Sequence, residues 1–215
     1  MIEPKLISLN IGKPKKLKTE ENEFVSGVGK QSVDRAFLTK EGFIDDGVQQ
    51  TKFHGGPDRA VLFYCFDHYQ QWEGEFGKPL MVPGFGENIT VSGLSEADVH
   101  IGDVYQIGEA IVEITQSRIP CNTLSKYNDE NSLLSRLVST GFTGYLGRVL
   151  QEGWIEQDST ITRTKRNPNS VSVLFSNQIY FHDKNNLDGM ERLLQIEELA
   201  SAWRKKIEQR VNKLK

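Results

Sequence analysis

The sequence predicts a mainly β fold with inserted helices: a β-barrel-like body over residues 1–165 and a small three-helix domain over residues 166–215. Three observations carry this. Short β-rich runs punctuated by Gly and Asp fill the first 165 residues, and after Pro168 the apolar residues switch from a period of two to a helical period. The charge changes at the same place. Residues 1–162 hold 15 basic and 23 acidic residues, net −8, whereas residues 163–215 hold 11 and 6, net +5.

Seven runs read as strands: Lys5–Ile11, Ser32–Thr39, Arg59–Cys65, Asn88–Val91, Val104–Ile107, Ala110–Gln116 and Ser159–Thr164. Only Gly108 and Glu109 separate the fifth and sixth, and a glycine at the first central position suits a type II′ hairpin turn. Two helices interrupt the strands. Phe66–Glu75 carries Tyr69 and Trp72 three apart, and Ser132–Ser139 places Leu133, Leu134, Leu137 and Val138 on one stripe.

In the appendage, Ser170 is the expected N-cap for Val171–His182, and Asp188 for Gly189–Gln195. The last segment has the clearest pattern. Ile196, Leu199, Trp203, Ile207, Val211 and Leu214 recur every three or four residues, with Arg204, Lys205, Lys206 and Arg210 on the other face.

Composition narrows the function. At 215 residues the chain fits one medium domain with a small addition, and no run of about 20 apolar residues suggests a membrane span. Met1–Lys18 has neither an apolar signal core nor an Arg/Ser-rich amphipathic stretch, so the expected location is cytoplasmic. Cys65 and Cys121 are too few for a disulfide framework or a zinc cage, so a bound metal must bring most of its own ligands. Signatures of P-loop NTPases, zincins, α/β-hydrolases and dinucleotide binders are absent, as are basic, aromatic-interleaved RNA-binding strands. Stable nucleic-acid binding is not expected.

Three loops remain as candidates for chemistry. In Phe53-His54-Gly55-Gly56-Pro57-Asp58-Arg59 the paired glycines let backbone N–H groups approach an anion, with His54 and Arg59 at the flanks. Taken alone, the run is better explained as a tight turn before a strand. Gly84-Phe85-Gly86-Glu87-Asn88 is a second glycine-bracketed turn, offering two polar side chains just ahead of a strand. Ser117-Arg118-Ile119-Pro120-Cys121 places a thiol near a cation, which favours the thiolate that binds metals or attacks electrophiles. Burial is the commoner fate of a free cysteine and is the expected one for Cys65, at the end of an apolar run. His68, His100 and His182 read as ordinary surface or core residues, and Lys30 and Arg148 as cations beside strands.

In order, His54-Gly55-Gly56-Pro57-Asp58-Arg59-Ala60, Gly84-Phe85-Gly86-Glu87-Asn88, Ile101-Gly102-Asp103 and Pro120-Cys121 resemble the MOSC domain, the family of molybdenum-cofactor sulfurase C-terminal domains. The resemblance covers about residues 26–162. The tail, from Val171-Ser172-Val173-Leu174-Phe175 through Gly189–Leu194 to Trp203-Arg204, resembles the three-helix domain of YiiM-like members. Asp46 matches the first acid of the stretch that precedes the glycine pair in that family. Val48, Gln50, Gln31 and Thr123 depart from the family's usual residues.

The resemblance implies a MOSC-type β-barrel holding a molybdopterin-type molybdenum cofactor, with Cys121 as its metal ligand. It also implies reduction of N-hydroxylated compounds such as 6-hydroxylaminopurine. Side chains cannot supply the two electrons that N–OH cleavage consumes, whereas such a cofactor can. Lys30, His54, Arg59 and Arg148 are then expected to bind cofactor or substrate anions, with Gly55, Gly56 and Asn88 shaping the pocket. His54 and Cys121 are the expected catalytic residues, His54 as proton donor because its ordinary pKa lies near neutrality. Electrons are expected from a separate flavin or iron–sulfur reductase. Two other readings stand beside this one: a carrier of the cofactor or its sulfur without turnover, and an anion- or nucleotide-binding module in which Cys121 is structural.

Overall fold

The computed structural model describes residues 3–19, 23–47 and 55–215. Its strands are β1 Lys5–Ile11, β2 Lys15–Lys18, β3 Glu23–Ser26, β4 Gln31–Ser32, β5 Arg35–Thr39, β6 Gly42–Phe43, β7 Val61–Cys65, β8 Ile89–Ser92, β9 Val104–Ile107, β10 Ala110–Ser117, β11 Tyr145–Gln151, β12 Gly153–Glu156 and β13 Ile161–Lys165. The helices are α1 Asp67–Phe76, α2 Thr123–Tyr127, α3 Leu133–Thr140, α4 Val173–Asn177, α5 Leu187–Leu194 and α6 Ser201–Leu214.

Eight strands form one curled sheet in the order β13-β9-β10-β11-β7-β8-β1-β4. Among the described residues only β7 and β8 of this sheet pair in parallel. A three-stranded sheet, β12-β5-β6, packs against β1, β10 and β11, and between the sheets Leu9, Leu38, Ile89, Val112, Ile114 and Ile155 are fully buried. Each such side chain stabilises the fold by roughly 1.5–3 kcal/mol relative to exposure. The result is a half-barrel, mainly β with six α-helices among the described residues, as the fold class predicts.

The hairpin of β9 and β10 pairs Ile107 with Ala110 across a two-residue turn whose Gly108 has φ +57°, the sign a II′ turn requires at that position. Expected and observed strands differ where the chain changes sheets. Ser32–Thr39 is split because Val33 N donates to Leu9 O (2.9 Å) while Asp34 O accepts from Gln157 N (2.8 Å), carrying the chain from the large sheet to the small one. Strand β11 carries no clean alternation in sequence. Its Gly147 is needed for close approach, since a Cβ there would sit 2.6 Å from Val112 Cγ1 on β10.

The helical part packs around Trp203, Ile207 and Val211 of α6, Met190 and Leu193 of α5, Ile179, and Ile101 from the barrel. Both caps differ from expectation by two residues. Ser172, not Ser170, accepts from Phe175 N (3.1 Å) at the start of α4, and Asn186, not Asp188, accepts from Gly189 N (2.8 Å) at the start of α5. The segment expected as one helix to His182 passes into a π turn at Gln178–His182. Ile196 and Leu199 are buried as expected, but in the turn before α6, where Arg204 donates to Leu194 O and Ile196 O (both 2.6 Å).

Candidate functional site

A cavity of about 640 Å³ opens where the curled sheet, the β2–β3 ribbon and the start of α6 meet. That size suits a cofactor or a small ligand. Three sequence motifs converge on it. Gly55 and Arg59 come from the first glycine loop, Gly86 and Asn88 from the second, and Arg118, Pro120 and Cys121 from the loop after β10.

A β-bulge arranges the third side of the wall. Between Ile114 and Gln116 the pairing of β10 with β11 slips by one residue, leaving Thr115 outside the ladder. Its hydroxyl reaches Asp58 O (2.6 Å) and Leu146 O (3.1 Å) instead, and beyond it Gln116 and Arg118 line the cavity. Gln116 is buried, and its Nε2 donates to Ser117 O (3.1 Å) while Oε1 has no partner. Arg118 Nη1 is likewise sealed from solvent and unpartnered. Burial pulls the Arg118 pKa below its ordinary value, opposed by its electrostatic interactions with the nearby Cys121 and Glu87 side chains.

Opposite stands Lys30, buried and ion-paired with Asp46. Asp46 also accepts from Gly12 N and Asn88 Nδ2 (both 2.8 Å), and Asn88 donates to Asn10 O (3.2 Å) and accepts from Leu62 N (3.1 Å). Burial lowers the Lys30 pKa, and the Asp46 charge works against that shift. Asn88 therefore ties strands and loops together around the cavity, with its amide fully occupied.

The second glycine loop owes its shape to Glu87, which is fully buried. Its carboxylate accepts from Tyr69 OH (2.6 Å), Phe85 N (2.9 Å) and Thr90 Oγ1 (3.0 Å), while Gly84 N donates to Tyr69 OH (2.7 Å). Burial pushes the Tyr69 phenol well above its ordinary pKa, and the Glu87 charge adds to the shift. Glu87→Ala strands three buried donors, at about 1–3 kcal/mol each. We expect it to lower stability by about 3 kcal/mol or more in urea denaturation; a loss under about 1 kcal/mol would mean that the loop is held by other contacts.

The two cysteines separate by environment. Cys65 is buried at the end of β7, and desolvation pushes its thiol up to about 12, so it stays protonated and inert. Cys121 is half-buried and faces the cavity beside Pro120. Among the described residues no three of His, Cys, Asp and Glu come together as a metal cage, so a metal at Cys121 would draw its other ligands from a bound group.

The expected site residues do not all meet. Lys30, Gly55, Arg59, Asn88 and Cys121 line the cavity. Gly56 sits one step back, its carbonyl accepting from Arg59 N (2.8 Å), and His54 lies outside the described residues. Arg148, expected to bind an anion, does not line the cavity. Its guanidinium pairs with Asp58 (2.9 Å) and approaches Glu113 (3.6 Å), because β11 directs it toward the junction with the helical part. His68 is buried against Glu96 (2.6 Å), while His100 contacts Ser170 (3.0 Å) and His182 the Val138 carbonyl (3.0 Å). Ile101-Gly102-Asp103 is structural as well: Asp103 is fully buried and bound by both nitrogen arms of Arg166 (2.6 and 2.9 Å). Sequence reasoning missed Gln116, Ala202, Trp203 and Lys206 as cavity residues. Nothing local marks them, since the bulge and the docking of α6 bring them there.

The family model described as the MOSC domain matches residues 50–162. The chain belongs to the MOSC family. A second model, described as the YiiM-like 3-alpha helix domain, matches residues 171–214. YflK of Bacillus subtilis, an uncharacterized protein, is 38% identical over 200 residues, covering 93% of this chain and 90% of its own. The crystal structure of YiiM from Geobacillus stearothermophilus superposes with a TM-score of 0.83 at 31% identity, covering 97% of this chain and 99% of that one. A Gibberella moniliformis protein named "Reductase" is 34% identical over 157 residues, which cover 71% of this chain and 28% of that protein. The MOSC family is associated with the molybdenum cofactor. The cavity residues fit such a group: a half-buried thiol for the metal, and two deep, partly desolvated cations, one with an unpartnered Nη1, for its phosphate.

Proposed function

We propose that this MOSC protein is a cytoplasmic, molybdenum-cofactor-dependent reductase of N-hydroxylated compounds such as 6-hydroxylaminopurine. The observation that carries the reading is Cys121 on the cavity wall, with the unpartnered, desolvated Arg118 in the same loop. Family membership and the relative named as a reductase support the reaction class. The overall change, R–NHOH + 2 e⁻ + 2 H⁺ → R–NH₂ + H₂O, needs a two-electron couple, and the cofactor supplies it when bound. The polypeptide would do the rest: Cys121 would offer a soft sulfur ligand, and Arg118, Lys30 and Arg59 would hold anionic oxygens. His54 is the proposed proton donor. A separate flavin or iron–sulfur reductase is the proposed electron source, since reduction of each substrate molecule must be followed by recharging.

The deciding experiment starts with protein purified from a cofactor-producing host and assayed for pterin and molybdenum. The sample is then chemically reduced and mixed with 6-hydroxylaminopurine. Adenine formed in proportion to bound molybdenum supports the reductase; cofactor transferred to a recipient apoenzyme with no adenine formed would make the protein a carrier instead.

Lys30 gives this reading a pH signature. Its ammonium form holds an anion, and its pKa lies below the ordinary lysine value of 10.5. Cofactor affinity should therefore fall as pH rises through that lowered pKa, before a free lysine would deprotonate. Folding stability moves the other way in the same window, because there the unfolded chain binds the extra proton. Lys30→Arg should carry cofactor retention to higher pH, as guanidinium stays charged. Pterin retained on gel filtration across an alkaline series checks this; identical profiles for wild type and variant would remove Lys30 from the anion site.

A further inference from the structure

Helix α6 begins without a cap of its own, because its N-cap position is Ala200. Asp58, from the first glycine loop, takes over that role across the junction: its Oδ2 accepts from Ser201 N (2.9 Å) and Ser201 Oγ (3.1 Å). Its Oδ1 pairs with Arg148 Nη2 (2.9 Å), which also donates to Glu198 O (3.0 Å) just before the helix. The bulged Thr115 closes the ring. Its hydroxyl reaches Asp58 O (2.6 Å), and its carbonyl accepts from Ala200 N (3.0 Å).

Each of the three joined segments continues directly into the cavity wall. Arg59 follows Asp58, Gln116 and Arg118 follow Thr115, and Ala202 and Lys206 follow Ser201. Ala202 and Lys206 stand four apart and so share one face of α6, with a small side chain above a long cationic one. Trp203 lines the cavity between them while packing into the helical core.

We propose that this face of α6 is the substrate-selecting wall of the cavity, and that Asp58 is the positioning residue that holds it in register with the Cys121 loop. Ala202 sets the size of the group admitted, because any larger side chain there would occupy cavity space. Lys206 offers donors to the ring nitrogens of a purine-sized base. The proposal rests on the reductase reading for its substrate, and it explains why a barrel with its own cofactor residues carries a three-helix addition.

The test uses full-length, cofactor-loaded protein with three variants: Ala202→Phe, Lys206→Glu and Asp58→Ala, the last beside Asp58→Asn. Adenine, the expected product, is titrated by calorimetry, and KM is measured for 6-hydroxylaminopurine and for the small substrate N-methylhydroxylamine. Ala202→Phe should weaken adenine binding and raise the purine KM about tenfold, with the small substrate's KM changed by about twofold or less. Lys206 is exposed, so Lys206→Glu leaves folding intact, and it should weaken adenine about threefold. Asp58→Ala should raise the purine KM at unchanged pterin content, and Asp58→Asn should restore part of the loss by keeping one acceptor for Ser201. Adenine binding unchanged in both Ala202→Phe and Lys206→Glu would overturn the wall, as would wild-type protein that does not bind adenine. Equal losses on both substrates together with loss of pterin would reduce Asp58 to a structural role. Failure of the reductase reading looks different: no substrate is reduced, yet adenine binding still responds to Ala202→Phe.

Discussion

Cys121→Ser should lose its molybdenum and, with it, reduction of N-hydroxylated substrate by about a thousandfold or more, an effect of roughly 4 kcal/mol on the barrier. A serine hydroxyl is nearly the same size as the thiol but is a hard, protonated oxygen at neutral pH, and a soft sulfur-rich metal sphere does not accept it. Folding should barely change. Position 121 is half-buried at the cavity, so the substitution is expected to shift stability by about 0.5 kcal/mol or less. Cys65→Ser provides the opposite pattern as a control. That site is fully buried at the end of β7, so a hydroxyl there should cost about 1–2 kcal/mol in stability while metal content holds. Metal and pterin analysis of both variants beside wild type, with a denaturation curve for each, reads the contrast. Molybdenum equal in Cys121→Ser and wild type would remove Cys121 as the ligand, and the reductase reading with it.

Arg118→Met should move two measurements in opposite directions. In the cofactor-free protein the guanidinium is held out of water with Nη1 unpartnered, a cost that an apolar side chain of similar length does not incur. Stability of that form should therefore rise by about 1–2 kcal/mol, seen as a higher urea midpoint at unchanged slope. Cofactor retention should collapse, because the cation that brings an unpartnered Nη1 to its phosphate is gone. A merely structural arginine predicts the reverse, with lower stability and cofactor retained. Finding the variant less stable than wild type while it keeps its pterin would sink the assignment of Arg118 to the anion site.

Much of the fold can be read in the sequence because its cues are local. The β9–β10 hairpin follows from a glycine between two apolar runs, and the buried stripe from Ile196 to Val211 follows from spacing. Both caps lie two residues from the expected positions, since Ser170 and Ser172, or Asn186 and Asp188, offer the same chemistry. Only the turn geometry chooses between them. Ser32–Thr39 has the composition of one strand, yet bonds to segments distant in sequence, Val33 N to Leu9 O and Gln157 N to Asp34 O, decide where the chain crosses sheets.

The candidate site divides in the same way. Cys121, Gly55, Arg59 and Asn88 belong to motifs whose order is specific, so the sequence alone pointed to the loops that meet at the cavity and to the thiol on its wall. It also determined that a basic helical segment follows an acidic β-rich body. Only the tertiary structure decided that Arg148 serves the junction, that Arg118 keeps an unpartnered Nη1, and that Ala202 and Lys206 face the cavity. The physical reason is that side-chain roles depend on which partners reach a group once water is removed. A bulge at Thr115 and a helix capped by a distant aspartate are contacts between residues 57 to 143 positions apart, which no local pattern encodes.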